Sequence, residues 1–355
     1  MAADLSSLKH EYHIYLFKKL LFILVCIIAA IVVMGLAVSF GKYDVGFFES
    51  YEIIWNHLLG NADPGSMKDH VVWDLRLPRA LMAIAVGAGL AVCGAAMQSM
   101  MRNPLADPYT TGVSSGASLG AALAIILGFC VFPSLSGQSA IVVNAFIFSL
   151  IPAVIIVLIS KFRKPTPTSM ILAGIAVMYI FSATTTLLML IANPEDLAEV
   201  YIWNVGTLGK ATWDNIPVVI AMSIAGIILL MLVSKKLNVL VAGDKAAISL
   251  GVNADALRVY CLLVISLVTA AIVSFTGTIG FVGLIAPHVV RIFVGSDNRY
   301  LLPASAAFGA AMLICADCLA KEAGSTGLPV GVITAIIGGP LFILLLIKQR
   351  KSAWK

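Results

Sequence analysis

The chain has 355 residues, 60% of them apolar and 12% charged, with a mean hydropathy of +1.01. A soluble domain averages roughly 45–50% apolar and about 25% charged residues, so this composition excludes a water-soluble globule, a disordered chain and a disulfide scaffold. It leaves a multi-spanning membrane protein, and the formal charge of +5, 23 basic against 18 acidic residues, is too small over this length to imply a nucleic-acid partner.

A bilayer core about 30 Å thick needs roughly 20 apolar residues in a helix. Ten stretches meet that need along the chain: 20–40, 80–101, 110–129, 139–160, 169–191, 215–233, 256–275, 279–294, 301–319 and 330–347. The eighth is the shortest and carries His288 and Arg291. Between the first two lies the longest outer loop, 41–79, with an amphipathic piece at Phe47–Leu59. A second outer segment covers 192–214, and 234–255 is the longest inner loop. With the N-terminus inside, 17 basic residues fall on the inner side, among them Lys18, Lys19, Arg102, Arg163, Lys235, Arg258, Arg350, Lys351 and Lys355. Six fall outside: Lys42, Lys68, Arg76, Arg79, Lys210 and Lys321. That asymmetry is the positive-inside pattern. It predicts an all-α polytopic protein of about ten spans, both termini cytoplasmic, forming one transmembrane domain over 1–355.

Chemistry-bearing motifs are missing. There is no GxxxxGK[ST] phosphate loop, no HExxH and no GxSxG, and the five histidines are scattered. The chain therefore has no ATPase site, no catalytic residues and no metal site of its own to offer. The six cysteines fall mostly within apolar runs and suggest no disulfide framework; the pair Cys315 and Cys318 reads as packing. An ion-gradient-driven secondary carrier usually places ionisable residues deep in the membrane. Here Asp317 lies near the outer end of span nine and no acidic residue lies at a midplane, which makes that class the alternative rather than the first reading. Two small-residue stripes, Gly87/Ala91/Ala95/Ser99 and Gly112/Gly116/Gly120, predict close helix packing.

Four strings carry more than packing. They are RLPRALMAIAVGAGLAVCGAAMQSMMRNPLADPYTTGVSSGAS at 76–118, LAGIAV at 172–177, LVAGDKAAISLGV at 240–252, and the run from GTIGFVGLIAPHVVRIFVGSDNRY at 277 to LPVGVITAIIGGPLFILLL ending at 346. In this order they resemble the FecCD family, the permease subunits of ATP-binding-cassette importers for iron–siderophore, haem and cobalamin. The resemblance implies ten helices per subunit in a homodimer or a pair of related halves. Two separate ATPase subunits, which use ATP and Mg, would dock inside, and a substrate-binding protein would dock outside. No cofactor would be bound by this chain, and it would reside in the cytoplasmic membrane.

The resemblance also suggests roles for residues. Pro104 and Pro108 in RNPLADP break the helix and Asn103 turns the chain; by resemblance Asn103 and Leu105, with Thr168 and Ser169 at the start of span five, form a cytoplasmic gate. The run bounded by Gly243 and Gly251 resembles the coupling helices that fit a groove on the ATPase, with Ala246, Ala247 and Leu250 in contact, flanked by Asp244 and Lys245. Arg76 and Arg79 run against the positive-inside bias, either as snorkelling anchors or, as in the family, as partners for carboxylates on the binding protein. Lys321 stands where the family commonly has arginine, and Gly327 where it usually has glutamate. Ser182, Thr184, Thr185 and Thr186 make span five polar, either lining the path or bonding backbone carbonyls. The order of substrate expectation is iron–siderophore, then haem, then cobalamin.

Overall fold

The structure, a computed structural model, describes residues 2–348 apart from 62, 64, 163 and 324–326. Arg163, Arg350, Lys351 and Lys355 of the basic tally lie outside the described residues. Among these residues the chain is all α, with fifteen α-helical segments and no strand.

Helix α1 (Ala2–Ser39) is apolar from His13 onward and mostly faces outward. It is followed by the predicted amphipathic helix α2 (Phe47–Leu58). A short α3 (Met67–His70), a π-helical turn at Val71–Arg76 and α4 (Leu77–Met101) then run on as one apolar rod from Met67 to Met101. The sequence expectation began this span at 80. The extra length arises because the backbone stays helical back through Val71–Arg76 and Met67–His70, although this stretch carries Lys68, Asp69, Asp74 and Arg76. Next come α5 (Val113–Leu127), α6 (Gly137–Phe162), α7 (Pro167–Ile191) and α8 (Pro194–Val205). A sharply bent pair follows, α9 (Ile216–Leu232) and α10 (Ser234–Val241), with 58° between them. The short α11 (Asp244–Ser249), α12 (Ala254–Thr276), α13 (Val282–Val294), α14 (Asn298–Glu322) and α15 (Val330–Lys348) complete the chain. Among the described residues six helical rods are long and apolar enough to cross a bilayer, and α9 reaches that length only when taken together with the bent α10. The shorter apolar helices Val113–Leu127, Val282–Val294 and Val330–Leu344 fill the remaining places of the expected ten. Span three is shorter than expected because Pro108–Thr111 forms a 3-10 turn and Gly128 ends the helix in left-handed backbone.

The core is organised around α4, which is buried on nearly every side. Its small-residue stripe runs antiparallel to α14. A Cβ at Gly87 would stand 2.3 Å from the Gly309 carbonyl oxygen, Ala91 touches Gly309, and Ser99 Oγ donates to Asn298 Oδ1 at 2.7 Å. The adjoining face meets α13 at Gly94. Pro287 offers no N–H to the Gly283 carbonyl, and that oxygen turns toward α4, where a Cβ at Gly94 would lie 1.8 Å from it. The second stripe packs on α6: Gly116 meets the Phe148 carbonyl and Gly120 the Asn144 carbonyl, both at 2.4 Å from an added Cβ. Lipid supplies no hydrophobic drive between helices, so such close backbone contact holds the bundle together.

Candidate functional site

The inner end of α4 finishes at Arg102, a non-glycine residue in left-handed backbone (φ 51°). The Asn103 N–H donates back to the Gln98 carbonyl at 3.1 Å and closes the helix. Asn103 Oδ1 then accepts from the Leu105 N–H at 2.9 Å, so its side chain builds the turn, and Leu105 projects outward from it. Thr166 caps α7. Its Oγ1 accepts from the Ser169 N–H at 3.2 Å, while Ser169 Oγ accepts from the Thr166 N–H at 3.0 Å. Ser169 is thereby occupied as the second half of a capping box, and Thr168 is the exposed residue between them. The two segments meet at a cavity of about 770 Å³, which the neighbouring prolines Pro104 and Pro167 line together with Arg102, Asn238, Ala242 and Arg291.

Beside this cavity stands the α10–α11 loop. Gly243, with φ +116°, turns the chain between the two helices, and Gly251 (φ +73°) turns it out again. Ala247 corrects the sequence expectation. It is fully buried (0% exposed), because it lies on the inward face of α11, and it cannot be a contact residue. The outward face presents Ile248 and Leu250, 72% and 68% exposed, with Lys245 exposed and Ala246 half-buried. Ile248 was missed, although its place one residue after Ala247 in a six-residue helix is a readable signal. Asp244 is not a free flank either: its carboxylate receives Arg258 Nη1 at 3.1 Å and Nη2 at 2.5 Å. That guanidinium holds the Asp244 carboxyl below its usual range. Nearby, Asp297 caps α14 and accepts from Arg299 and from Asn238 Nδ2 at 2.7 Å. Burial opposes its ionisation, but these hydrogen bonds prevail and hold its pKa at about 2. Asn238 Oδ1 in turn accepts from the Asn298 amide groups, so α10 is tied to α14 and, through Ser99, to α4.

At the outer end the three proposed docking cations are all turned inward. Arg76 is buried, and its guanidinium donates to the carbonyls of Val38 (3.1 Å) and Ser39 (2.7 Å) at the open end of α1 and to that of Tyr43 in the loop beyond it. Arg79 Nη2 lies 2.8 Å from Asp317 Oδ1, and Lys321 Nζ lies 3.3 Å from Asp317 Oδ2. Lys321 also donates to the Ala37 carbonyl at 3.2 Å. The sequence-based docking expectation assumed free charges. The structure instead assigns them to helix-end carbonyls and to the fully buried Asp317, a use that the positive-inside count does not reveal.

Helix α7 touches the rest of the chain along one stripe, Met170, Gly174, Val177 and Thr185. Ser182, Thr184 and Thr186 are exposed. The Thr184, Thr185 and Thr186 hydroxyls each donate to the carbonyl four residues back, at 2.9 Å. Their hydroxyls are therefore satisfied within the helix, while most of the helix circumference is left uncovered by this chain.

The chain matches known proteins over nearly its whole length. The family model of the FecCD transport family matches residues 21–348. The chain belongs to that family. It is 36% identical to the hemin transport system permease protein HmuU of Yersinia pestis, over 91% of this chain and 95% of that one. It is 43% identical to the cobalamin import system permease protein BtuC of Halobacterium salinarum, over 78% and 73%. It is 36% identical to the Fe(3+)-citrate import system permease protein YfmD of Bacillus subtilis, over 94% and 96%. Among solved structures, an inward-facing metal-chelate type ABC transporter is 29% identical with a TM-score of 0.80, covering 92% of this chain and 99% of that one.

Proposed function

We infer that this FecCD chain is the permease subunit of an ATP-driven importer for a metal chelate in the cytoplasmic membrane. The observation that carries the reading is the exposed apolar pair Ile248 and Leu250 on a short helix presented by the α10–α11 loop, in a chain whose relatives are named as hemin, cobalamin and iron-citrate permeases. A separate ATPase subunit, using ATP and Mg, docks on that knob. A second copy of the permease covers the open side of α7, and the path runs between the two α7 helices past Ser182, Thr184 and Thr186. The turn at Asn103 and Leu105 and the exposed Thr168 stand at its inner mouth as the gate. A substrate-binding protein delivers the chelate from outside, and iron–siderophore is the first substrate to test, before haem and cobalamin. The buried carboxylate that a secondary carrier would need, Asp317, is occupied by Arg79 and Lys321.

The test is uptake into proteoliposomes that hold the complete importer. Loaded binding protein carrying iron–siderophore, haem or cobalamin is supplied outside and ATP–Mg inside. Uptake should require ATP and continue when an uncoupler collapses the proton gradient. Uptake that follows the proton gradient and ignores ATP refutes the reading.

A further inference from the structure

Arg258 opens α12 at the cytoplasmic end and is 0% exposed. Its guanidinium reaches three parts of the fold. Nη1 and Nη2 grip the Asp244 carboxylate at the first residue of α11. Nη1 also points at the Pro165 carbonyl, 3.5 Å away, immediately before the cap of α7. Asp255 stands 3.7 Å from Nη1 on the same helix. Its Nε is buried and has no hydrogen-bond partner. A buried donor left unpaired costs free energy, and a 3.5 Å contact is at the weak limit of a hydrogen bond. A guanidinium placed here only for rigidity would be better satisfied.

The surroundings leave room for movement. The segment 164–167 passes between two cavities. One, of about 670 Å³, is lined by Lys164, Pro165 and Asp255; the other, of about 770 Å³, by Pro167 and Arg102. Arg102, at the inner end of α4, brings its guanidinium within 3.7–3.9 Å of a Cβ built on Gly243, the residue before Asp244. Helix α7 itself is held by a single stripe.

We propose that Arg258 is a positioning residue that transmits movement of α11 to the inner end of α7, gripping Asp244 with its fork and the Pro165 carbonyl with its remaining donor. The proposal rests on the reading of α11 as the ATPase contact. If the ATPase shifts α11, Asp244 carries the guanidinium with it, and the weak bond to Pro165 tightens or breaks. Either change moves the cap of α7 beside Thr168. Arginine is required because one planar group must hold two acceptors at once. Lysine keeps the charge but offers a single point contact.

The experiment is hydrogen exchange on the intact importer, permease with its ATPase subunits in nanodiscs, compared without nucleotide and with ATP–Mg. In the wild type, nucleotide changes exchange both at 244–249 and at 167–171. In Arg258→Lys the response at 244–249 persists, and the response at 167–171 falls by about fivefold or more. Asp244→Asn, which keeps the shape of the side chain but removes the charge that the guanidinium grips, gives the same pattern. An α7 response of wild-type size in both single variants overturns the proposal. A wild-type complex in which 244–249 ignores both nucleotide and removal of the ATPase overturns the docking reading and the proposal with it. That failure differs from the first because it appears before any substitution is made.

Discussion

Replacing Asp317 by asparagine tests whether the outer cations belong to the fold or to a partner. Asp317 is fully buried and faces Arg79 at 2.8 Å and Lys321 at 3.3 Å, with side-chain exposures of 22% and 8%. With an effective dielectric constant of about 20, these two contacts are worth roughly 6 and 5 kcal/mol of gross Coulomb attraction. Desolvation offsets most of that gain, yet removing one partner of a buried pair still costs about 3–5 kcal/mol, because it leaves charge uncompensated. Asp317→Asn leaves two cations side by side, so a loss of that order is expected in thermal or denaturant unfolding of the purified permease. Replacing Arg79, Asp317 and Lys321 together by leucine should recover most of it, since a buried ion cluster exchanged for apolar side chains is often neutral. The readouts are the unfolding midpoint and the affinity for loaded binding protein in nanodiscs. Wild-type stability in Asp317→Asn, combined with a selective loss of binding-protein affinity, would falsify the structural assignment and return these residues to the docking surface.

Gly94→Ala places a methyl 1.8 Å from the Gly283 carbonyl, a backbone atom that cannot swing away; the yield of monodisperse permease should collapse, and a normal yield would mean that α4 and α13 are not in contact at this point. Ala247→Asp buries an unpaired charge and should destabilise the α10–α11 loop by several kcal/mol. Ile248→Asp changes an exposed site and should alter stability by less than about 0.5 kcal/mol while releasing the ATPase on size-exclusion chromatography; retention of the ATPase in the latter variant rules out this face as the contact. The depressed pKa of Asp244 makes its ion pair a source of stability that is fully present above the ordinary aspartate pKa of about 3.9 and is lost as pH falls through the lower folded value. Protection of the amides at 244–249, taken relative to the intrinsic exchange rate at each pH, should therefore hold steady from pH 7 to about pH 4 and fall below it, and a loss of protection near pH 6 would assign the loop's stability to another group.

What the sequence reveals and what it hides divide along physical lines. The spans are legible because each needs a long apolar run and because lysine and arginine mark the inner side. The stripes at Gly87 and Gly112 are legible because close helix approach admits only small residues. Ends are less so. Pro108 and Gly128 shorten span three, whereas Val71–Arg76 lengthens span two through a π-turn that no local residue announces. The site was readable as a segment and misread at single residues. In a helix as short as α11 the inward and outward positions alternate faster than a family pattern resolves, so Ala247 and Ile248 exchange roles. Arg76, Arg79 and Lys321 look free in one dimension because the groups they satisfy are remote: Asp317 lies 238 residues from Arg79, and the Ala37 carbonyl 284 from Lys321. Arg258 reads as one more inner-side charge until the fold brings Asp244 and Pro165 to it.

The anchoring of α1 also fixes an order of events during synthesis. This helix packs chiefly along α14, and its last carbonyls are closed by Arg76 and, 284 residues after Ala37, by Lys321. At about 5–20 residues per second a ribosome takes roughly 15–60 s to cover that separation. For that interval α1 has no neighbour along most of its length. Its outward face of Phe17, Leu20, Leu24, Ile28 and Ile31 lets lipid serve as its solvent while it waits. Helix α1 is thus made well before it can be seated, and a chain interrupted before α14 would leave α1 free in the membrane as a recognisable mark of an unfinished permease.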